Sequence, residues 1–316
     1  MTHISFDYGS RGILIVIGAA RSGTTYLTDI LDDYFGFGMS PEGHFVLEFH
    51  KRLQRYGDLS DAENMARLLA DMRHGSTLRI IREEWPPDRR FDISVDELQA
   101  NLGGTTYADA VYAVFRTIAE RLGKPHVGTK NPSYTTELPL VDALFPGRAK
   151  YINLVRDGRD VALSTMSMPW GQKNVYACAK SWARHLDLAA AFEHKVGAER
   201  LLNVKYEDLV ALPVQTLAAL ERFLGIAVEP DARERFLAGA MSNALAGNFD
   251  KWRTAMAPVD IERFEAVAGA HLVRWGYDRL HSRPRLGVAE RSAFECHEMA
   301  RKVSLTLRRK FANWPR

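Results

Sequence analysis

An anion-binding loop is the strongest chemical signal in this sequence. The segment Gly18-Ala19-Ala20-Arg21-Ser22-Gly23-Thr24-Thr25 lies between an apolar run at residues 13–17 and a helical pattern at residues 24–33. A glycine-rich turn of this kind points its backbone N–H groups inward, and the following helix N-terminus adds a partial positive charge. An ordinary strand-to-helix turn is the alternative. We predict an anion site, to which side-chain donors come from Arg21, Ser22, Thr24 and Thr25.

One position in this loop bears on the kind of anion that it holds. The spacing is that of a nucleotide-binding phosphate loop, yet Thr24 stands where a lysine is expected. In nucleotide hydrolases that lysine contacts the β and γ phosphates. Its absence counts against a kinase or ATPase.

Polar side chains follow three further predicted strands. Glu42 and His44 come after the second strand, Lys130 after the third, and Arg156 after the fourth. Ligands of open α/β sheets gather at the carboxyl ends of the strands. A carboxylate or an imidazole at such a place can take a proton from an acceptor hydroxyl. We therefore expect these side chains to share a site with the loop.

The elements that must position these residues alternate along the chain. Strands separated by amphipathic helices predict a three-layer α/β fold with a central, mostly parallel sheet of about five strands. Gly225 predicts the end of one helix. The predicted strands cover residues 13–17, 36–39, 126–128, 151–155 and 201–204. The predicted helices cover residues 24–33, 45–56, 62–73, 107–122, 182–196, 214–224 and 288–311.

Two regions extend this core. Residues 44–124 form a long helical insertion that we expect to build a substrate wall or lid, with structural padding as the alternative. Residues 281–316 read as a linker and a basic amphipathic helix that follow a main domain over residues 1–280. This helix can pack on the body, on a second subunit as a homodimer, or against an anionic membrane surface. Its basic residues are Arg301, Lys302, Arg308, Arg309 and Lys310.

The chain resembles the family of sulfotransferases that use 3′-phosphoadenosine 5′-phosphosulfate (PAPS), and within it the bacterial and carbohydrate branch. The resemblance runs from Ile13 to about Tyr277 and is carried by two motifs, Arg21-Ser22-Gly23-Thr24-Thr25 and the segment from Leu154 to Ser164. Gly158 replaces the usual proline of the second motif. Weaker matches are Lys205-Tyr206-Glu207-Asp208-Leu209, Phe223-Leu224-Gly225 and Lys251-Trp252-Arg253.

The resemblance implies how the donor is held. The loop with Arg21, Ser22, Gly23, Thr24 and Thr25 would bind the phosphosulfate. Arg156 and Ser164 match the pair that binds the 3′-phosphate. Trp252 and Arg253 would belong to a late loop that closes over the 3′-phosphate or the adenine, although Trp252 alone suits a buried core position. Adenosine 3′,5′-bisphosphate would leave as the product.

The resemblance also assigns roles on the acceptor side. Glu42 is the favoured general base, because a glutamate just after the second strand takes this role in the branch that the chain resembles. His44 is the rival base, and a helix cap near Phe45 is the structural alternative for Glu42. Lys130 would stabilise charge near the sulfate. Transfer of this type requires no metal, and the sequence has no metal-ligand spacing.

The composition of the chain argues against several classes of function and location. The 316 residues are 46% hydrophobic and 26% charged, with a net charge of +3 that is too mild to indicate nucleic acid as a partner. No segment reaches the roughly 20 apolar residues that cross a bilayer. Only Cys178 and Cys296 are present, which suits a reducing compartment. We expect a cytoplasmic protein, because the N-terminal apolar run is better explained as a strand than as a secretion signal.

These observations predict an enzyme that moves a sulfuryl group from PAPS to a hydroxyl of a saccharide or another metabolite by in-line displacement. A P-loop kinase or NTPase and a non-catalytic nucleotide-binding module are the alternatives. The acceptor is left open among sugar, lipid, phenol and peptide tyrosine.

Overall fold

A buried parallel sheet forms the centre of the computed structural model, which describes residues 11–241 and 248–312. The strands are β1 (Ile13–Gly18), β2 (Phe37–Ser40), β3 (His126–Lys130), β4 (Ala149–Val155) and β5 (Leu201–Lys205). They lie in the order β2-β3-β1-β4-β5. The pairings of β1 with β3, β1 with β4 and β2 with β3 are parallel, which confirms the predicted α/β fold.

Helices surround the sheet, and the described residues contain more of them than the sequence pattern indicates. The helix predicted over residues 45–56 is shorter, because it ends at His50 and a 3-10 turn follows at Leu53–Arg55. Gly225 ends its helix in the left-handed conformation, as predicted. The helices are α1 (Thr24–Phe35), α2 (Phe45–His50), α3 (Ala62–Arg73), α4 (Ser76–Glu83), α5 (Val95–Ala100), α6 (Tyr107–Arg121), α7 (Leu138–Leu144), α8 (Gly158–Ser167), α9 (Val175–Val196), α10 (Tyr206–Ala211), α11 (Pro213–Leu224), α12 (Pro230–Met241), α13 (Trp252–Ala255), α14 (Pro258–Arg274) and α15 (Val288–Ala312).

The chain divides into two compact units. In the described part, the first unit comprises residues 11–18, 23–154 and 191–241 and contains nearly the whole sheet. The second comprises residues 19–22, 155–190 and 248–312 and is helical. The segment after residue 280, which we predicted as a separate linker and helix, groups with residues 155–190 in this second unit.

The predicted insertion lies in the first unit and packs on the sheet through α6. Gly38 of β2 makes this close approach available, because a Cβ there would lie 2.4 Å from the Cα of Ala119. Ion pairs tie the insertion down further. The carboxylate of Asp32 on α1 is almost fully buried and pairs with Arg89 and with Lys124, whose Nζ lies 2.7 Å away. The insertion is therefore fixed at both the sheet and α1.

A buried cation holds the second unit together. The guanidinium of Arg159 on α8 is 1% exposed and lies 2.7 Å from Asp157 and 3.1 Å from Glu265. The guanidinium carbon of Arg159 also lies 3.4 Å from the centre of the Trp252 ring. Glu265 accepts two further hydrogen bonds, from the backbone N–H groups of residues 280 and 281. One arginine thus connects α8, α13, α14 and the segment that leads to α15.

The described part of α15 packs within the second unit. Phe294 stacks on Tyr176 of α9 with ring centres 5.9 Å apart, and the Tyr176 hydroxyl donates to Glu295 over 2.9 Å. Arg263 of α14 pairs with Glu290 at 2.7 Å. These contacts agree with packing on the body, and the side chains of Arg308, Arg309 and Lys310 lie outside the described residues. Within the described residues, no helix combines the length and apolar character needed to span a bilayer.

The Arg159 cluster generates a stability prediction. Arg159→Met keeps a side chain beside Trp252 but removes the guanidinium from that ring and from two buried carboxylates, Asp157 and Glu265. We expect the free energy of unfolding to fall by about 3–5 kcal/mol, measured by urea denaturation.

The matched control is Lys180→Met, since Lys180 forms an exposed ion pair with Glu295 at 2.9 Å. An exposed pair contributes about 0–1 kcal/mol, so the control should stay close to the wild type. Equal losses in the two variants would show that the Arg159 cluster does not stabilise the unit.

Candidate active site

The loop at residues 18–25 has the backbone of an anion site. Arg21 adopts φ 73° and Gly23 φ 91°, and the Ser22 N–H closes a turn by donating to the Ala19 carbonyl over 3.0 Å. A left-handed conformation at a non-glycine residue costs energy and is typical of functional loops. The N-cap of α1 is Gly23, which offers no side-chain acceptor. The first N–H groups of α1 are therefore left for another acceptor.

Gly23 is fixed by sterics as well as by its dihedral angle. A Cβ at this position would lie 2.5 Å from the ring of Tyr206, which is buried at the start of α10. The weak sequence match around Tyr206 therefore has a structural reason, because the Tyr206 ring packs closely against Gly23 of the loop. In the same segment Thr24 is buried and Thr25 is exposed.

Three residues predicted to bind the donor come together in the second unit. The Arg21 Nε donates to the Ser164 Oγ over 3.0 Å, and a terminal nitrogen of Arg156 donates to the Arg21 carbonyl over 3.3 Å. Arg156 is held from the other side by Trp182, whose indole N–H donates to the Arg156 carbonyl over 3.1 Å. The hydroxyl of Ser22 is buried and has no hydrogen-bond partner among the described residues.

Trp252 lies in the core of the second unit. Its ring is 0% exposed, and the guanidinium carbons of Arg159 and Arg253 lie 3.4 and 4.5 Å from the ring centre. The backbone N–H of Trp252 donates to Asp160 over 2.9 Å. This burial agrees with the alternative of a core position, and a contact of Trp252 with the nucleotide stays a prediction.

Arg253 lies beside Trp252 but already has two partners. It pairs with Asp250 at 3.1 Å and with Asp278 at 2.8 Å, and its side chain is exposed. Its role toward the nucleotide stays a prediction.

On the first unit, Glu42 joins the other two residues predicted for the acceptor side. One carboxylate oxygen lies 2.8 Å from the His44 Nε2, and the other lies 3.3 Å from the Lys130 Nζ. The chain between β2 and α2 is fixed by the Thr77 hydroxyl, which donates to the Glu42 carbonyl over 2.8 Å. The helix-cap alternative is wrong, because α2 begins without a side-chain cap and the Glu42 carboxylate faces His44 and Lys130 instead.

Asn131 fixes which nitrogen of His44 carries the proton. The Asn131 carboxamide oxygen accepts from the Ser133 N–H and hydroxyl, over 3.0 and 2.7 Å. Its NH₂ group is left to donate to the His44 Nδ1, which lies 3.4 Å away. The ring N–H therefore lies at Nε2 and donates to Glu42. This role of Asn131 was not predicted from the sequence, although Asn131 directly follows Lys130.

These contacts set the charge state of Glu42. The hydrogen bond from His44 and the nearby Lys130 ammonium lower its pKa to about 2, against an opposing effect of partial burial. Glu42 is therefore ionised at neutral pH and can accept a proton. His44 is less suited to act as the base, because its Nε2 donates to Glu42 and its Nδ1 faces the Asn131 NH₂ group.

Glu42 and Lys130 open onto a cavity of about 410 Å³ in the first unit. The exposed Thr25 of the loop lines the same cavity, whereas His44 does not. The insertion supplies one wall with Trp85 and Pro86. Among the described residues, no group of three or more His, Cys, Asp or Glu side chains is placed to hold a metal ion. The cavity thus brings together an ionised carboxylate, an ammonium group and one threonine of the loop.

Two curated relatives share about a quarter of their residues with this chain. Protein-tyrosine sulfotransferase 2 of Gallus gallus is 26% identical, over 71% of this chain and 54% of that protein. Protein-tyrosine sulfotransferase 1 of Danio rerio is also 26% identical, over 69% of this chain and 68% of that protein. The chain therefore spans about half the length of the first of these relatives.

Solved structures support the same fold. The sulfotransferase domain of the curacin biosynthetic pathway aligns with a TM-score of 0.52 and 22% identity, over 84% of this chain and 98% of that one. The sulfotransferase domain of the Synechococcus PCC 7002 olefin synthase aligns with a TM-score of 0.51 and 24% identity, over 84% and 94%.

A sequence model described as the sulfotransferase family matches residues 14–230, which include the loop after β1, the Glu42–Lys130 pair and the segment after β4. The match covers well over half of the chain. This protein belongs to the sulfotransferase family.

Proposed function

We propose that this protein transfers the sulfuryl group of PAPS to an acceptor hydroxyl, with Glu42 as the general base. One observation carries the proposal: an ionised carboxylate lies against Lys130 in a cavity that Thr25 of the loop also lines. A sulfotransferase needs a base, a cation and an anion-binding loop around one space, and this cavity has all three.

The residues of the donor side fit a nucleotide with two anionic ends. The N–H groups at the start of α1 and the unpartnered Ser22 hydroxyl suit the phosphosulfate. Arg21, Arg156 and Ser164 form one polar cluster, which suits the 3′-phosphate that distinguishes PAPS from ATP. This cluster favours PAPS over the donor of a kinase or NTPase, and Thr24 in place of lysine points the same way.

The chain's residues divide the chemistry between them. As the acceptor oxygen bonds to sulfur, the bond from sulfur to the 5′-phosphate oxygen breaks, and adenosine 3′,5′-bisphosphate leaves. Glu42 receives the proton of the acceptor hydroxyl. Lys130 stabilises the negative charge that develops on the departing oxygen.

The contacts that keep Glu42 ionised also make it a weak base, because basicity falls with pKa. A bound sulfate gives the Lys130 ammonium a second anion to pair with. Loosening the contact between Lys130 and Glu42 raises the pKa of the carboxyl when the donor is in place. Donor binding thus prepares the base.

The acceptor is a hydroxyl of a saccharide or another small metabolite in this proposal. A phenol is the second candidate, favoured by the apolar side of the cavity at Met39, Ile80 and Trp85. The names of the relatives point to tyrosine as their acceptor.

The donor assignment predicts a selective loss in Arg156→Ala. We expect affinity for adenosine 3′,5′-bisphosphate to fall about 30- to 150-fold, because a charge-assisted hydrogen bond is removed. Affinity for 5′-AMP, which lacks the 3′-phosphate, should change little. Both are measured by isothermal titration calorimetry.

Ser164→Ala provides a second, milder test, and the exposed Arg184→Ala serves as the control. If Arg156→Ala and Ser164→Ala each lost the same affinity for both nucleotides, neither residue would bind the 3′-phosphate.

The base assignment predicts that Glu42→Gln retains donor affinity but loses about 10²- to 10⁴-fold in turnover. Because the pKa of Glu42 is about 2 in the free enzyme, its carboxyl stays ionised as the pH falls from 8 to about 4. The pH profile of kcat/KM for PAPS, which reports the free enzyme, should therefore show no decrease caused by protonation of Glu42 in that range.

His44→Asn is the matched variant, because it removes the rival base and keeps a hydrogen-bond donor. Near-normal turnover of Glu42→Gln together with a large loss of turnover in His44→Asn would show that His44, and not Glu42, is the general base.

The absence of any divalent ion from this mechanism is also testable. Turnover with PAPS should be unchanged by excess EDTA, and adenosine 3′,5′-bisphosphate should raise the melting temperature more than ATP with magnesium does. Activity that is lost with EDTA and restored by magnesium would favour the kinase or NTPase alternative.

A further inference from the structure

One charge in the acceptor cavity is left without a partner. Asp29 lines the cavity, and among the described residues its carboxylate has neither a hydrogen bond nor an ion pair. The other lining charges are matched: Asp32 pairs with Arg89, and Glu42 pairs with Lys130. The described lining therefore carries one negative charge that no neighbouring cation neutralises at contact distance.

Asp29 has a defined place relative to the reacting end of the cavity. It lies on α1 four residues after Thr25, so the two side chains share a face of the helix. One helical turn separates them by about 6 Å along the axis. A molecule with its hydroxyl beside the loop and Glu42 would thus extend a second group toward Asp29.

The electrostatics of Asp29 favour a cation as that second group. Desolvation by the surrounding protein and the neighbouring Asp33 raise the pKa of the Asp29 carboxyl, although the residue is exposed, and Arg89 and Lys130 offset this only in part. A raised pKa means that the ionised form is disfavoured where it stands. A ligand cation would stabilise it, whereas a ligand carboxylate or phosphate would be repelled.

The apolar part of the cavity wall suits an aromatic ring in the acceptor. Met39, Ile80, Trp85 and Pro86 line the cavity. Trp85 is held in place by Arg89, whose guanidinium carbon lies 5.2 Å from the ring centre, and by Phe91 at 5.9 Å. The lining thus combines apolar side chains with two carboxylates, Glu42 and Asp29, which suits an amphipathic acceptor.

We propose that Asp29 selects acceptors that carry a protonated amine as a second group beside the reacting hydroxyl. This inference rests on the proposed function, because it takes the cavity to be the acceptor site. The substrate class is then the amino alcohols and aminoalkyl phenols, and Asp29 discriminates them from neutral and anionic analogues.

Three phenols of similar size test the proposal: tyramine, 4-ethylphenol and 3-(4-hydroxyphenyl)propionate, which are cationic, neutral and anionic. Their binding to the protein saturated with adenosine 3′,5′-bisphosphate is measured by calorimetry. In the wild type we expect affinity to fall in that order. Asp29→Asn should weaken tyramine about 5- to 20-fold and leave 4-ethylphenol nearly unchanged, and Asp29→Lys should make the anion the tightest ligand.

Asp33→Asn is the matched control, since Asp33 is an exposed aspartate one turn further along α1 that does not line the cavity. It should keep the wild-type order. Equal binding of the three phenols, no binding of any, or an order that survives in Asp29→Asn and Asp29→Lys overturns the proposal. Failure of the sulfotransferase function would show separately, as a wild type that does not bind adenosine 3′,5′-bisphosphate.

Discussion

Parallel pairing of β1 with β3 on one side and with β4 on the other determines where the polar segments of this chain come to lie. Because the strands run in one direction, the loop after β1, Glu42 after β2 and Lys130 at the end of β3 emerge at the same edge of the sheet. The apolar run of β1 is fully buried, as expected of a central strand that is covered on both faces of a parallel sheet. The site is a consequence of this pairing rather than of any single motif.

In the proposed mechanism, the interaction among Glu42, His44 and Lys130 balances two needs. A base must be unprotonated before the acceptor arrives, and the contacts with His44 and Lys130 keep the Glu42 carboxyl ionised. A base must also attract a proton strongly at the moment of transfer, which the same contacts oppose. The proposed turn of Lys130 from the carboxylate to the donor would resolve this conflict, because the two needs would then be met at different stages of the reaction.

Much of this could be predicted from the sequence, because it depends on local patterns. The strands, most of the longer helices and the loop follow from apolar periodicity and from glycine placement. Short helices such as α5 and α10 were missed, since six residues are too few to show a period. The longer helices α12 and α14 were not predicted either. The burial of Trp252 and the roles of Asn131 and Asp29 depend on which side chains meet across the fold. Arg159, for example, is an ordinary charged residue in the sequence and lies in the core of the second unit.

The way the insertion is anchored has a consequence for how the protein can diversify. Asp32 holds the insertion at Arg89 and Lys124, and Gly38 seats α6 against β2. Of the cavity-lining residues of the insertion, Trp85 and Pro86 both contact Arg89 and so support this anchor. Ile80 lines the cavity from α4, outside these anchoring contacts. Substitutions at Ile80 can therefore reshape the cavity wall while the attachment of the insertion is kept.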